Sequence, residues 1–224
     1  TGTNKGDDLM KTKILLADDH VVMRDALKIL LDRQDDFDVI SVASDGREAV
    51  RLVEEYKPDI VVMDIEMPNL TGIEATKQIK AASAETKILA LSVHTKSRLI
   101  ARMIESGASG YLPKNCAADE LVDSIRAIMN DQSYISPTVV ESVVKYLQDK
   151  PSKVDDSSDT LTAREREILQ LLAEGKNTQD IAELLYVSPS TAESHRRHIM
   201  NKLSIYTVAE LTKYAIRHGF TTLE

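Results

Sequence analysis

Five short apolar runs, each followed by a helical pattern, constrain this chain more than any other feature. Ile14-Leu15-Leu16-Ala17 precedes a segment with Ala26, Leu27, Leu30 and Leu31 on one stripe, and the run at 39–43 precedes one carrying Ala49, Leu52 and Val53. Ile60-Val61-Val62-Met63 precedes Ile73, Ala75 and Ile79; the run at 88–91 precedes Leu99, Ile100, Met103 and Ile104; Gly110-Tyr111-Leu112 precedes Leu121, Ile125 and Ile128. Continuously apolar strands that alternate with helices predict an α/β doubly wound, five-stranded parallel sheet covered on both faces. Such a sheet binds its ligand at the carboxyl ends of its strands. Asp18-Asp19 follow the first run, Asp64 the third, Ser92 the fourth and Lys114 the fifth, so four strand ends deliver a charged or hydroxyl group to one rim.

This pattern occupies 12–131. A linker is expected at 132–159, with a helix over 137–148 on Val139, Val140, Val143, Val144 and Leu147, and then a polar, Pro-containing stretch. Residues 160–220 show only helical periodicity. Thr162 and Glu165 form a capping box, Gly175 is a stop, Asn177 or Thr178 caps a second helix, and Ser188-Pro189 opens a third that runs to about Leu203. A fourth covers 208–216. Two helices joined by a tight polar turn read as helix-turn-helix in an all-α domain.

The whole net charge of −8 lies before residue 160; residues 160–224 carry eight basic and eight acidic side chains. An acidic body suits cation binding, and DNA binding would have to rest on a local basic cluster. The single cysteine, Cys116, excludes an internal disulfide and reads as a small apolar group. No apolar run reaches the ~18 residues of a membrane span, so a cytoplasmic protein without membrane attachment is expected. Met10 reads as a natural start and Leu223-Glu224 as a tag junction.

Three carboxylates converging on one rim repel one another unless a cation sits among them. Hard oxygen ligands with no His or Cys partner favour Mg²⁺ or a similar ion such as Mn²⁺. A carboxylate beside that ion is a possible nucleophile towards phosphorus, and a lysine and a hydroxyl suit the phosphoryl oxygens. His20 and His94 adjoin the rim and read as surface residues.

The strings Leu16-Ala17-Asp18-Asp19-His20, Val62-Met63-Asp64-Ile65-Glu66-Met67-Pro68, Leu91-Ser92 and Gly110-Tyr111-Leu112-Pro113-Lys114 resemble the receiver domain of two-component response regulators. The resemblance implies that Asp64 accepts a phosphoryl group from a sensor histidine kinase. It implies Mg²⁺ held by Asp18, Asp19, Asp64 and the Glu66 backbone carbonyl, with Ser92 and Lys114 on the phosphoryl oxygens. Tyr111 would be an aromatic switch that turns inward when Ser92 moves. Many receivers carry Pro after this lysine; here Asn115 follows, which leaves the isomer of that bond open. Glu66, two positions past Asp64, is expected to alter the lifetime of the phosphoryl group.

On the third helix of the second part, Ala192, His195, Ile199 and Leu203 fall on an inward stripe, and Glu193, Ser194 and Arg197 face outward. Arg pairs with guanine, Glu accepts from cytosine, and Arg196, His198 and Lys202 add charge along the backbone path. Thr178 and Thr191, at helix starts, suit phosphates. Leu161-Thr162-Ala163-Arg164-Glu165-Arg166-Glu167-Ile168-Leu169, Ala173-Glu174-Gly175-Lys176-Asn177 and Thr191-Ala192-Glu193-Ser194-His195 resemble the LuxR-type DNA-binding domain. The whole chain is thereby similar to a NarL/FixJ-type response regulator. The resemblance implies a third helix in the major groove of double-stranded DNA at paired half-sites. It also implies a homodimer when phosphorylated, through Val208, Leu211, Thr212 and Ala215. Ser190 stands where relatives often carry Lys, which removes one phosphate contact.

The expected function is therefore phosphorylation-controlled transcription regulation, with the DNA-reading helix released on phosphorylation, and not catalysis. A phosphohydrolase with an aspartyl intermediate would need Asp-x-Asp, where this chain has Asp64-Ile65-Glu66. An interaction-only signalling module would leave the helix-turn-helix without a role.

Overall fold

The computed structural model describes residues 11–93, 97–148 and 161–221. His94, the polar linker residues 149–159 and the chain ends at Met10 and Leu223-Glu224 lie outside them. In chain order the first part runs β1 (Thr12–Ala17), α1 (Val21–Asp32), β2 (Phe37–Ala43), α2 (Gly46–Tyr56), β3 (Ile60–Asp64) and α3 (Gly72–Ala82). It continues through β4 (Lys87–Ser92), α4 (Ser97–Glu105), β5 (Gly110–Pro113), α5 (Ala118–Met129), β6 (Tyr134–Ile135) and α6 (Pro137–Gln148). The sheet is parallel throughout, in the order β2-β1-β3-β4-β5-β6.

There are six strands among the described residues where the sequence pattern predicts five. β6 pairs with β5 through Gly110↔Tyr134 and Tyr111↔Ile135. Two residues are too few to show a strand periodicity, so backbone pairing, not hydrophobic pattern, defines this edge. Along the central strands alternate side chains feed two cores. Leu15, Val61, Met63, Ala90 and Tyr111 pack beneath α2, α3 and α4, while Ile14, Leu16, Val62, Leu89 and Leu112 pack beneath α1 and α5. α6 starts and ends where the sequence predicts, but it is no spacer: Val139 and Val143 are buried in the first core.

The register explains why the polar residues meet. Ala17 pairs with Met63, Asp64 with Leu91, and Ser92 with Pro113. The residues just past these pairs therefore emerge at one level, on either side of the β1/β3 position where the strand order reverses. Gly72 completes the arrangement, because a Cβ there would stand 2.0 Å from the Asp64 carbonyl oxygen. Only a residue without a side chain lets α3 begin against the backbone of β3.

The second part is α7 (Ala163–Ala173), α8 (Thr178–Leu184), α9 (Pro189–Leu203) and α10 (Val208–Arg217). The capping box at Thr162/Glu165 is present, Asn177 caps α8 with a second box through Asp180, and Ser188 caps α9 with Pro189 in its first turn. Ile168, Leu172, Ile181, Ile199, Leu211, Ala215 and Phe220 form its core. This corrects half of the expected dimerisation stripe. Leu211 and Ala215 are 0% exposed because α10 packs against α7, whereas Val208 is exposed and Thr212 half-buried.

Gly72→Ala should lower stability by about 1–3 kcal/mol, the range for forcing atoms into a packed site. Urea unfolding monitored by circular dichroism measures it.

Candidate functional site

Asp18, directly after β1, and Asp64, at the end of β3, are both buried; Lys114, just past β5, reaches back between them. Its Nζ lies 2.6 Å from Asp64 Oδ2, to which it donates, and 2.7 Å from Asp18 Oδ2. Asp64 Oδ1 accepts from the Glu66 amide at 3.3 Å, and Asp18 Oδ1 from the His20 amide at 2.9 Å. Arg24 of α1 donates to the Asp18 carbonyl at 2.7 Å and so ties the helix to the pocket floor.

One ammonium does not balance this much buried negative charge. Burial pushes the Asp64 carboxyl up to about 6, although the Lys114 charge and hydrogen bond oppose the rise. Burial also works against the Lys114 ammonium, but Asp64 and Asp18 outweigh it and hold the lysine above its usual range. Asp18 Oδ2 is buried against the Lys114 ammonium at 2.7 Å, and Asp19 Oδ1 lies 2.8 Å from His20 Nδ1. Asp18, Asp19, His20 and Asp64 each offer a ligand atom within 4.8 Å of the others. Three carboxylates gathered this closely around one ammonium fit a small hard cation such as Mg²⁺. His20, expected to be a plain surface residue, stands on the exposed rim of this group with Nδ1 2.8 Å from Asp19.

Ser92 is fully buried and shares a side-chain hydrogen bond with Tyr111, whose hydroxyl burial pushes up to about 12. The expected inward turn of Tyr111 therefore needs correcting. The ring is already inward, 0% exposed, in the core that also holds Ile100, Met103 and Val139. The Lys114–Asn115 bond is trans, as is every peptide bond among the described residues.

In the second domain, Ser190, Thr191, Ser194, Arg197 and His198 stand exposed on α9. Ser188, Ser190 and Thr191 bring three hydroxyls together at its start, with Ser188 Oγ 2.8 Å from each of the other two. Four candidate DNA residues, Thr178, Glu193, Arg196 and Lys202, are already engaged within the domain. Glu193 accepts from Thr178 at 3.3 Å and from Arg196 at 3.4 Å, and Lys202 donates to the buried Glu165 at 2.7 Å. The outward positive charge thus centres on Arg197, whose Nε lies 3.6 Å from Glu193.

Residues 14–126 match the family model described as the response regulator receiver domain, and residues 159–215 the one described as bacterial regulatory proteins, luxR family. This chain belongs to the NarL/FixJ family of response regulators. The regulator is 38% identical to the oxygen regulatory protein NreC of Staphylococcus epidermidis, over 92% of this chain and 97% of that protein. It is 36% identical to the response regulator UvrY of Escherichia coli K12, over 94% of this chain and 96% of that one. Among solved structures, the response regulator ChrA of a heme-sensing two-component system aligns with a TM-score of 0.53 at 31% identity, covering 95% of this chain and 100% of its own. The protein is thus a two-component response regulator of transcription, with a receiver and a LuxR-type DNA-binding domain. No helix among the described residues is long and apolar enough to cross a membrane.

The two domains of this regulator touch, through residues that the sequence pattern did not mark. Arg166 of α7 donates to the buried Glu74 of α3 at 2.8 Å, and Arg47 of α2 lies 2.6 Å from Glu167. Gln170 and Glu174 bond the loop between β3 and α3. At the other end of the interface, Arg102 of α4 donates to the His218 carbonyl and stands over the Phe220 ring, 5.1 Å from its centroid. The signal in the sequence is the density of polar residues on α7: Glu165, Glu167 and Gln170 are buried alongside the apolar stripe, so the helix is covered nearly all round. The receiver docks on α7 and the end of α10, and leaves the outward residues of α9 exposed.

Because the folded-state value of Asp64 is raised, its ionised form costs stability as pH climbs from 3.8 towards about 6. In EDTA near neutral pH, Asp64→Asn should therefore stabilise the fold by on the order of 2 kcal/mol, with the gain vanishing near pH 4. Urea titrations at the two pH values check the sign.

Proposed function

We propose that Asp64 accepts a phosphoryl group from a sensor histidine kinase, and that this controls homodimerisation and sequence-specific binding to paired DNA half-sites. The observation that carries the reading is the placement of Lys114 Nζ within 2.7 Å of both Asp64 and Asp18, at the strand ends where Ser92 also lies. Mg²⁺, or Mn²⁺, would be held by Asp18, Asp19, Asp64 and the Glu66 carbonyl. Bound there, the ion supplies charge neutralisation at the phosphoryl oxygens.

The chain's own groups account for the rest. At neutral pH Asp64 is ionised, since its raised value is still only about 6. A carboxylate oxygen forms the new P–O bond while the P–N bond of the phosphohistidine breaks and its electron pair leaves with the imidazole. Lys114 donates to one phosphoryl oxygen and the Ser92 hydroxyl to another, where both stabilise spreading negative charge. When Ser92 turns to the phosphoryl group, it gives up its hydrogen bond to Tyr111. Tyr111 lies in the core beneath α4, the helix that holds His218 and Phe220 of the second domain, so the event reaches the interface. The exposed hydroxyls and Arg197 of α9 suit phosphates and base edges. Val208 and Thr212 remain as the part of α10 available to a second copy.

Acetyl phosphate with Mg²⁺ should load one phosphoryl group per chain, seen as a shifted band on a phosphate-retarding gel, and Asp64→Asn should take up none. Loading of Asp64→Asn equal to that of the unaltered chain would exclude the assignment. In DNA titrations over a range of salt, Arg197→Ala should weaken binding and reduce the slope against log salt by about one if it contacts phosphate. An unchanged slope combined with altered base preference would place it on a base instead.

A further inference from the structure

We propose that Gln170 of α7 is a positioning residue for the loop that carries the Glu66 carbonyl, so that docking of the DNA-binding domain and occupancy of the Asp64 pocket are coupled through one side-chain amide. This rests on the phosphoacceptor reading above and adds to it the route by which the two domains communicate.

The loop between Asp64 and Gly72 turns its backbone polar groups towards α7 at alternate residues. Gln170 Nε2 donates to the Met67 carbonyl at 3.1 Å, and Gln170 Oε1 accepts from the Thr71 amide at 3.0 Å. Between them, Glu174 Oε2 accepts from the Asn69 amide at 3.3 Å, and Glu174 Oε1 accepts from Gln170 at 2.7 Å, which fixes the orientation of the amide. Gln170 is 2% exposed, so these bonds form away from water, where leaving a backbone group unpaired costs most. Asn69 holds the turn with a φ of 64° and donates to Asp45 at 2.9 Å. Pro68 has its φ fixed by its ring. The segment is thus pinned at residues 67, 69 and 71, and Met67 follows Glu66 directly.

Freezing the Met67 carbonyl and the Pro68 torsion leaves few rotations by which the Glu66 carbonyl can adjust to an ion. A group bound at Asp64 shifts the docking equilibrium only if it binds the docked and undocked forms with different affinity. Coupling of this kind is reciprocal. If a phosphoryl group and its ion favour undocking, then undocking must strengthen their binding. Release of the loop by α7 is the step that does so.

The full-length chain, titrated with beryllofluoride and Mg²⁺ in an isothermal calorimeter, tests the inference, with hydrogen exchange at the Asn69 and Thr71 amides as a second readout. Gln170→Ala should bind the mimic about five- to tenfold more tightly than the unaltered chain, within the range of ordinary allosteric couplings. Both amides should exchange quickly in Gln170→Ala even without the mimic, whereas in the unaltered chain they should lose protection only when it is added. Alanine suits an interior helix position, so the fold should survive. Glu174→Ala, which removes only the Asn69 bond and the brace on Gln170, should move both readouts in the same direction by less. Binding to the unaltered chain with the same affinity in Gln170→Ala, or weaker, overturns this inference alone. No binding to the unaltered chain overturns it together with the phosphoacceptor reading.

Discussion

A single buried ammonium between two buried carboxylates organises the receiver. Lys114 bridges Asp64 and Asp18 at 2.6 and 2.7 Å. Together the two contacts need β1, β3 and β5 to end at matching heights, which the parallel register through β4 supplies. The balance remains incomplete, since Asp64 stays well above the usual carboxylate range and a third carboxylate, Asp19, stands beside the pair. A pocket in that condition gains more from added positive charge than a neutral one would, because burial weakens solvent screening. Part of the stability that a better-neutralised site would have is given up at the place where a divalent cation fits.

Most of this architecture can be read from residue order, and the reasons differ by element. Central strands carry continuous apolar runs because they are buried on both faces, so β1, β3, β4 and β5 announce themselves, and the polar residue after each run marks the rim. The caps at Thr162, Asn177 and Ser188 are legible because they are local, needing only a side-chain acceptor three residues before an amide. β6 is not legible, because two residues of backbone pairing leave no pattern. Nor was the burial of Leu211 and Ala215, since an apolar stripe shows that a helix face is covered but not by what. α10 uses that stripe for its own domain's core.

The contact between domains lay furthest from view. Arg166, Gln170 and Glu174 look like the ordinary solvated side of an amphipathic helix. Their partners are Glu74 on α3 and the backbone of a loop about a hundred positions earlier in the chain. Long-range polar pairing of this kind has no periodicity, and backbone carbonyls and amides are the same in every sequence. Tyr111 shows the same limit from another side. Its identity suggests a movable ring, but only three-dimensional packing shows it already enclosed with Ser92 as its hydrogen-bond partner.

The outward side of α9 stays in contact with solvent while the receiver is docked. A single docked copy therefore already presents Ser190, Thr191, Ser194 and Arg197 to solvent, with no opening between the domains. If the proposed modification pairs two copies, occupancy of a paired site would depend on total protein as well as on the fraction modified, rising with the square of protein abundance.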